Sequence, residues 1–210
     1  SPFIAHAAIP AAHQAMPAGP VSMTKAWIEM IHRYFAMAIG VLIIAQVAIA
    51  WAARLRRRPL HVSPWWPTSL LLLILVQGAF GAWTVTMKLQ PVIVTIHLLL
   101  GLTLLGTLGW LAARQTPLPS HDPEAGRYRA AALAALVLLV VQIALGGWVS
   151  TNYAVLACTQ FPTCQGSWWP PMNFAQGFEI WRHLGVTGDG QPLDFSALTA
   201  IHYAHRLMAY

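Results

Sequence analysis

The chain has 210 residues, of which 57% are hydrophobic and only 9% are charged, and its formal net charge is +6. A soluble domain typically carries about a quarter charged residues, so this composition excludes an ordinary water-exposed fold. The arginines cluster between apolar runs, which favours membrane topology over nucleic-acid binding as the reason for the positive charge.

Four apolar runs reach the length of about 20 residues that a helix needs to cross a membrane. Residues 1–24, which precede them, are rich in Ala, Pro and His, show no signal-peptide pattern, and are expected to form a loop or short surface helices. A long loop, 151–195, follows the runs, and a last apolar segment from Ser196 to Tyr210 is the start of a fifth span. The predicted fold class is an all-α polytopic membrane bundle. The four runs are Trp27–Ala53, Trp65–Thr86, Val92–Ala113 and Ala130–Ser150.

The basic residues orient these spans. Arginines cluster at 54–58, between the first two spans, and at 114–129, between the third and fourth, whereas the opposite loops carry Lys88 and Arg182. Arg-rich loops face the cytoplasm, so residues 1–24 and the loop 151–195 are predicted to face outward from the plasma (inner) membrane. On that oxidising side a disulfide between Cys158 and Cys164 is allowed.

The chain contains an internal echo. Gln77-x-x-x-Gly81-x-Trp83 recurs as Gln142-x-x-x-Gly146-x-Trp148, each at the outer end of an outward-running span, and His32-Arg33 recurs as His205-Arg206. Such repeats suggest a duplicated membrane unit. The alternative is that Gly and Trp are simply common near membrane interfaces.

Histidines near the outer ends of the spans are the candidate metal ligands. His32 and His97 each lie about one and a half turns into an inward-running helix, roughly 8 Å below the outer surface. Ionisable groups at membrane depth are rare and usually functional, and two imidazoles at equal depth can ligate one metal, for which haem iron is the candidate. The alternative is an interfacial histidine that bonds to water or a lipid headgroup.

Residues beside these histidines could assist them. Glu29 precedes His32 by three residues and shares its helix face, where it could orient the imidazole, act as acid or base, or remain a solvated carboxylate. His202 holds the matching position before His205. Arg33 and Arg206 follow the two ligand candidates and could pair with haem propionates or extend to the interface.

Several segments resemble the heme A synthase family, in order and over almost the whole chain. Residues 26–36, AWIEMIHRYFA, resemble its second helix, and residues 77–97, from QGAFGAWTV through TIH, resemble its third and fourth helices. Cys158-Thr-Gln-Phe-Pro-Thr-Cys164 resembles the paired cysteines of a later outer loop. His202-Tyr-Ala-His-Arg206 resembles the opening of the sixth helix.

The resemblance implies a fold and an activity. The family has eight helices, arranged as two four-helix units related by a pseudo-two-fold axis, and it oxidises the C8 methyl of haem O to a formyl group. Residues 1–129 would then be an outer segment and most of the first unit, and residues 130–210 the start of the second. Helix one and most of helices six to eight are absent, so the chain is expected to be a fragment.

The resemblance also implies roles for individual residues. His32 and His97 would ligate the substrate haem, Glu29 would be the catalytic carboxylate, and His205 would be one ligand of a haem b. Cys158 and Cys164 would form a disulfide. Haem O synthase is the candidate donor of the substrate, and a homo-oligomer is left open.

Two rival functions use the same features. A bis-His cytochrome b-type electron carrier, or a quinol oxidoreductase subunit, would hold haem without consuming it. Such carriers commonly place ligand sets at both membrane faces, whereas the candidates here all lie near the outer face. A transporter built on repeats would need helices broken at mid-membrane, and the interiors of these spans contain no proline break.

Overall fold

The computed structural model describes residue 14 and residues 22–60, 62–115 and 125–210. Within these ranges the regular structure is helical and no β-strand occurs, which confirms the predicted all-α class. Short 3-10 turns at Ala125–Tyr128 and Ala154–Leu156 flank the fourth helix. The α-helices from residue 22 onward are α1 Met23–Leu55, α2 Trp65–Thr86, α3 Pro91–Gln115, α4 Arg129–Thr151, α5 Phe174–Gly177 and α6 Phe195–Ala209.

Four of these helices, α1 to α4, are long and apolar enough to span a membrane. Only 6% of the apolar window is buried within the protein in α1, α2 and α4, and 17% in α3. Soluble proteins rarely expose apolar surface on that scale, so the surroundings of these helices are lipid. The predicted polytopic bundle is therefore confirmed.

Local signals explain where the helices begin. α1 begins at Met23, one turn before the predicted Trp27, because the Ser22 side chain caps it by accepting from the backbone N–H of Lys25 at 3.3 Å. α3 begins at Pro91, whose missing N–H is no loss in the first turn. Most of the N-terminal segment 1–24 lies outside the described residues.

The chain forms two compact units, Ser1–Leu71 and Leu72–Tyr210. In the first unit, Trp51 Nε1 donates to Thr68 Oγ1 at 3.1 Å and the Trp51 ring meets Trp65 edge to face at 5.3 Å. These contacts join the end of α1 to the start of α2. The boundary falls inside α2, and the predicted division at 129/130 stays a prediction.

The second unit is built around α4 and α6. α3 packs against α4, α4 against α6, and α5 against α6. The loop between α4 and α6 folds onto them, because Trp148 Nε1 donates to the carbonyl of Gly177 at 3.0 Å. A core of buried residues lies at this junction and is formed by Trp148, Val149, Ala154 and Ile201.

Candidate functional site

His97 on α3 is held against α2 by a reciprocal pair of hydrogen bonds with Gln77. His97 Nδ1 donates to the Gln77 backbone carbonyl at 3.1 Å, and Gln77 Nε2 donates to the His97 backbone carbonyl at 3.0 Å. Because Nδ1 must carry the proton to donate, the neutral ring keeps its lone pair on Nε2. That is the form in which imidazole binds a metal.

Glycines make room for this pair. A Cβ on Gly81 would lie 3.1 Å from His97 Cε1, and one on Gly101 would lie 3.0 Å from Gln77 Nε2. Both distances are shorter than ordinary van der Waals contact. The imidazole therefore packs directly on the backbone of α2, and the amide packs directly on that of α3.

The second half of the repeat builds a similar site. Gln142 Nε2 on α4 donates to the backbone carbonyl of His205 on α6 at 3.3 Å, and a Cβ on Gly146 would lie 3.0 Å from His205 Cε1. The echo in the sequence thus places a glutamine and a glycine against a histidine twice. The sites differ at Nδ1, because that atom of His205 is buried without a hydrogen-bond partner.

The two sites are chemically suited to haem, because each presents a histidine imidazole that could ligate the iron. Each offers an imidazole beside a glycine where the methyl group of an alanine would press on the ring, and a neutral imidazole is a good ligand for haem iron. In each site the glutamine Oε1 is also buried without a partner, for Gln77 and Gln142 alike. Buried polar atoms of that kind need a donor from a bound group or water.

The third candidate histidine lies on α1, in the first unit. Near His32, the Glu29 carboxylate accepts from Arg33 Nη2 at 2.5 Å, one turn along the helix, and both side chains are about half exposed. Glu29 is thus paired with a cation on its own helix, through one nitrogen of the Arg33 guanidinium. A haem shared by His32 and His97 stays a prediction.

Arg206 fastens the cysteine loop to α6. The Cys158–Cys164 disulfide is present, which confirms that prediction. Arg206 Nη2 donates to the carbonyl of Cys158 at 2.6 Å, and Nη1 donates to the carbonyls of Gln160 and Thr163. The guanidinium predicted for a haem propionate therefore bonds to loop carbonyls, and the propionate role stays a prediction.

His202 contacts both Arg206 and the cysteine loop. Its Nε2 accepts from Arg206 Nε at 3.2 Å, and its Nδ1 lies 3.3 Å from the backbone nitrogen of Cys158. The ring thus contacts both Arg206 and the disulfide loop, and the parallel of His202 with Glu29 stays a prediction.

Arg182 is a buried charge that sequence reasoning missed. Only 2% of the residue is exposed, and its Nη2 donates to Asn152 Oδ1 at 2.5 Å while its guanidinium lies 5.9 Å from the Trp148 ring centre. Burial lowers the pKa of Arg182, and the negative charge of Glu179 opposes that shift. No residue pattern distinguishes this arginine from a surface one, since its burial depends on how the loop folds.

The fold and these sites define a class: a polytopic membrane protein in which a repeated Gln-x-x-x-Gly segment packs against a histidine of another helix. A family model described as cytochrome oxidase assembly protein (COX15-CtaA) matches residues 1–210. The chain belongs to this family, and the predicted resemblance is confirmed.

Three similar proteins illustrate the relationship. A heme A synthase of Shewanella oneidensis is 38% identical over 200 residues, which is 94% of this chain and 59% of that protein. Heme A synthases of Methylobacterium nodulans and Methylobacterium radiotolerans are 34% and 31% identical, over 64% and 94% of this chain and 37% and 52% of theirs. The chain therefore spans about half the length of these relatives. No solved structure matches it significantly.

Proposed function

We propose that this chain is the part of a heme A synthase that binds haem O and oxidises its C8 methyl group to a formyl group. Two successive hydroxylations of the methyl carbon, each a two-electron oxidation by dioxygen or another external oxidant, followed by loss of water from the geminal diol, would convert haem O to haem A. The observation that carries the proposal is the His97 site, where the bond from Nδ1 to the Gln77 carbonyl puts the imidazole lone pair on Nε2, in a chain similar to heme A synthases.

Each candidate residue has a role in this proposal. His32 and His97 would hold the substrate haem, and His205 would be one of the residues that hold a haem b in the second four-helix unit. When bound, haem b supplies one-electron redox chemistry. The glycine cradle against His205 and the buried Gln142 amide support that assignment.

Glu29 is the proposed catalytic carboxylate. An ionised carboxylate near lipid requires a compensating charge, and Arg33 supplies it at 2.5 Å. We assign to Glu29 Oε1 the acceptance of a proton from one hydroxyl of the geminal diol, as the other hydroxyl leaves as water and the formyl group forms. Arg33 would orient that oxygen through Nη2, and the other N–H groups of its guanidinium are the donors that a propionate would meet.

The proposed substrate suits a site in a membrane. Haem O carries a farnesyl tail that partitions into lipid, so a site among exposed apolar helices suits it. We place the protein in the cell (inner) membrane with the cysteine loop outside, receiving haem O from haem O synthase. A homo-oligomer is compatible with this arrangement.

Haem extraction tests the proposal. The protein is expressed in a bacterium that makes haem O but has no heme A synthase of its own, and extracted haems are separated by chromatography. We expect haem A with the native sequence, none with His97→Ala, and native amounts with His183→Ala, an exposed histidine of the outer loop. Bound haem b with no conversion of haem O would instead identify an electron carrier.

A further inference from the structure

The two glutamines of the repeat have no role in the proposed reaction, yet both are placed against a ligand candidate. Gln77 Nε2 lies 3.0 Å from the carbonyl oxygen of His97, and Gln142 Nε2 lies 3.3 Å from that of His205. In both amides Oε1 is buried without a partner. An unsatisfied buried polar group costs about 1–3 kcal/mol, so an apolar side chain would be the more stable choice unless the amide is needed.

The geometry shows what the first amide fixes. A helix carbonyl already accepts from the N–H four residues later, so the Gln77 bond is a second bond to the His97 carbonyl. It pins the backbone that carries the imidazole, while the ring is pinned by the Gln77 carbonyl at 3.1 Å. The same amide nitrogen is also 3.5 Å from His97 Nε2, and it would turn away from that lone pair when iron binds there.

We propose that Gln77 and Gln142 are positioning residues, which set the orientation of the His97 and His205 imidazoles toward a haem and thereby its affinity and spectrum. The proposal rests on the haem binding in the proposed function. Groups that orient a metal-bound histidine typically contribute about 10–100-fold to metal affinity, which is the size of effect expected here.

The two sites should respond unequally. His97 has both bonds of the reciprocal pair, whereas His205 Nδ1 has no hydrogen-bond partner. Loss of the Gln77 amide removes the 3.0 Å bond to the His97 carbonyl and leaves the imidazole held only by its bond to the residue 77 backbone. Loss of the Gln142 amide removes only the longer bond of 3.3 Å. The larger change should therefore follow substitution of Gln77.

The test compares Gln77→Leu and Gln142→Leu with a matched control, Gln90→Leu. Gln90 is 2% exposed and its Oε1 also has no partner, but it lies just before α3 and outside the repeat. The milder Gln77→Asn keeps a buried amide that is one carbon too short to hold the pair. Purified proteins in detergent are measured for haem loss to apomyoglobin, for the low-spin electron paramagnetic resonance signals, and for the midpoint of thermal unfolding.

We expect Gln77→Leu and Gln77→Asn to weaken one haem population by about 10–100-fold and shift its signal. Gln142→Leu should change the other population by less, and Gln90→Leu should change neither. Native haem binding and native signals in both Gln77→Leu and Gln142→Leu would overturn the positioning role but not the proposed function. Changes equal to those in Gln90→Leu would have the same meaning. A wild-type protein that takes up no haem would overturn the proposed function and this assignment together.

Discussion

Arg206 Nη2 donates a hydrogen bond to the backbone carbonyl of Cys158 across a sequence separation of 48 residues, at 2.6 Å. We predict that Arg206→Met loosens the disulfide loop, because the carbonyls of Cys158, Gln160 and Thr163 lose their donor. A hydrogen bond from a charged group contributes about 1.5–3 kcal/mol, and partial exposure reduces this, so a local loss of about 1–3 kcal/mol is expected. Hydrogen exchange of the loop amides measures it.

Arg206→Lys is the matched variant for that experiment. It keeps the positive charge but donates from a single nitrogen, so it should recover only a small part of the protection. Equal protection in Arg206→Lys and the native protein would mean that charge alone, and not the shape of the guanidinium, holds the loop.

The glycine cradles give a second prediction. Gly81→Ala and Gly146→Ala would place a methyl group 3.1 and 3.0 Å from an imidazole carbon, so each should displace its histidine and reduce haem content at one site. A Cβ on Gly78, also on α2, would meet nothing within 4 Å. Gly78→Ala should therefore keep its haem and gain about 0.5–1 kcal/mol of helix stability. Haem content per protein and thermal unfolding check all three, and undisturbed haem in Gly81→Ala would contradict the cradle.

Arg182 and Asn152 should be energetically coupled. Arg182→Met leaves the buried Asn152 Oδ1 without its donor, so we expect a loss of about 2–3 kcal/mol in the free energy of unfolding. Asn152→Leu should cost a similar amount, and the double variant should cost less than the sum by about 1–2 kcal/mol. Unfolding in mixed detergent micelles supplies the four values. Strict additivity would show that the short contact contributes nothing to stability.

Glu29 can be tested without disturbing the ligands. Glu29→Gln keeps the shape of the side chain but removes the charge that bonds Arg33. We expect haem to remain bound while haem A formation stops, so haem O or a hydroxylated intermediate accumulates in extracts. Asp189→Asn, an exposed carboxylate of the outer loop, is the control and should make haem A normally. Normal haem A from Glu29→Gln would return Glu29 to the role of an interfacial carboxylate.

The topology predicts which loops a reagent can reach. Single cysteines introduced at Leu60, between α1 and α2, and at Asp189, in the loop after α4, should lie on opposite sides of the membrane. The native cysteines do not react, because they form a disulfide. A membrane-impermeant maleimide should label Asp189→Cys in intact cells and Leu60→Cys only after the membrane is opened. The reverse pattern would invert the orientation taken from the arginines.

The spans could be predicted because lipid imposes a simple rule on the sequence. Trp65–Thr86 has the predicted bounds, and the other spanning helices differ from them only at their ends. The difference at α1 comes from Ser22, whose capping bond extends the helix by one turn. A capping serine can be recognised in a sequence, but the predicted start is the first residue of the apolar run, four residues after Met23.

The contacts of the outer loop could not be predicted. The burial of Arg182 and the bonds of Arg206 to loop carbonyls depend on a tertiary arrangement of residues that are far apart in sequence. In the candidate site, the repeated glutamine-glycine pattern could be recognised in the sequence, but the contacts that its residues make could not be predicted. That Gly81 accepts an imidazole, and that Gln77 bonds the backbone carrying it, appears only when α2 and α3 are placed together.

The bonds of Arg206 to the cysteine loop imply an order for two steps of membrane insertion, the closing of the disulfide ring and the docking of α6. The two cysteines are separated by only 6 positions, so their ring can close as soon as that stretch emerges from the translocation machinery. Arg206 is synthesised later, and the carbonyls it bonds belong to the ring already closed. On the proposed topology, α6 would dock onto a loop whose disulfide has already formed, and the position of His205, the neighbour of Arg206, would be set after that ring has closed.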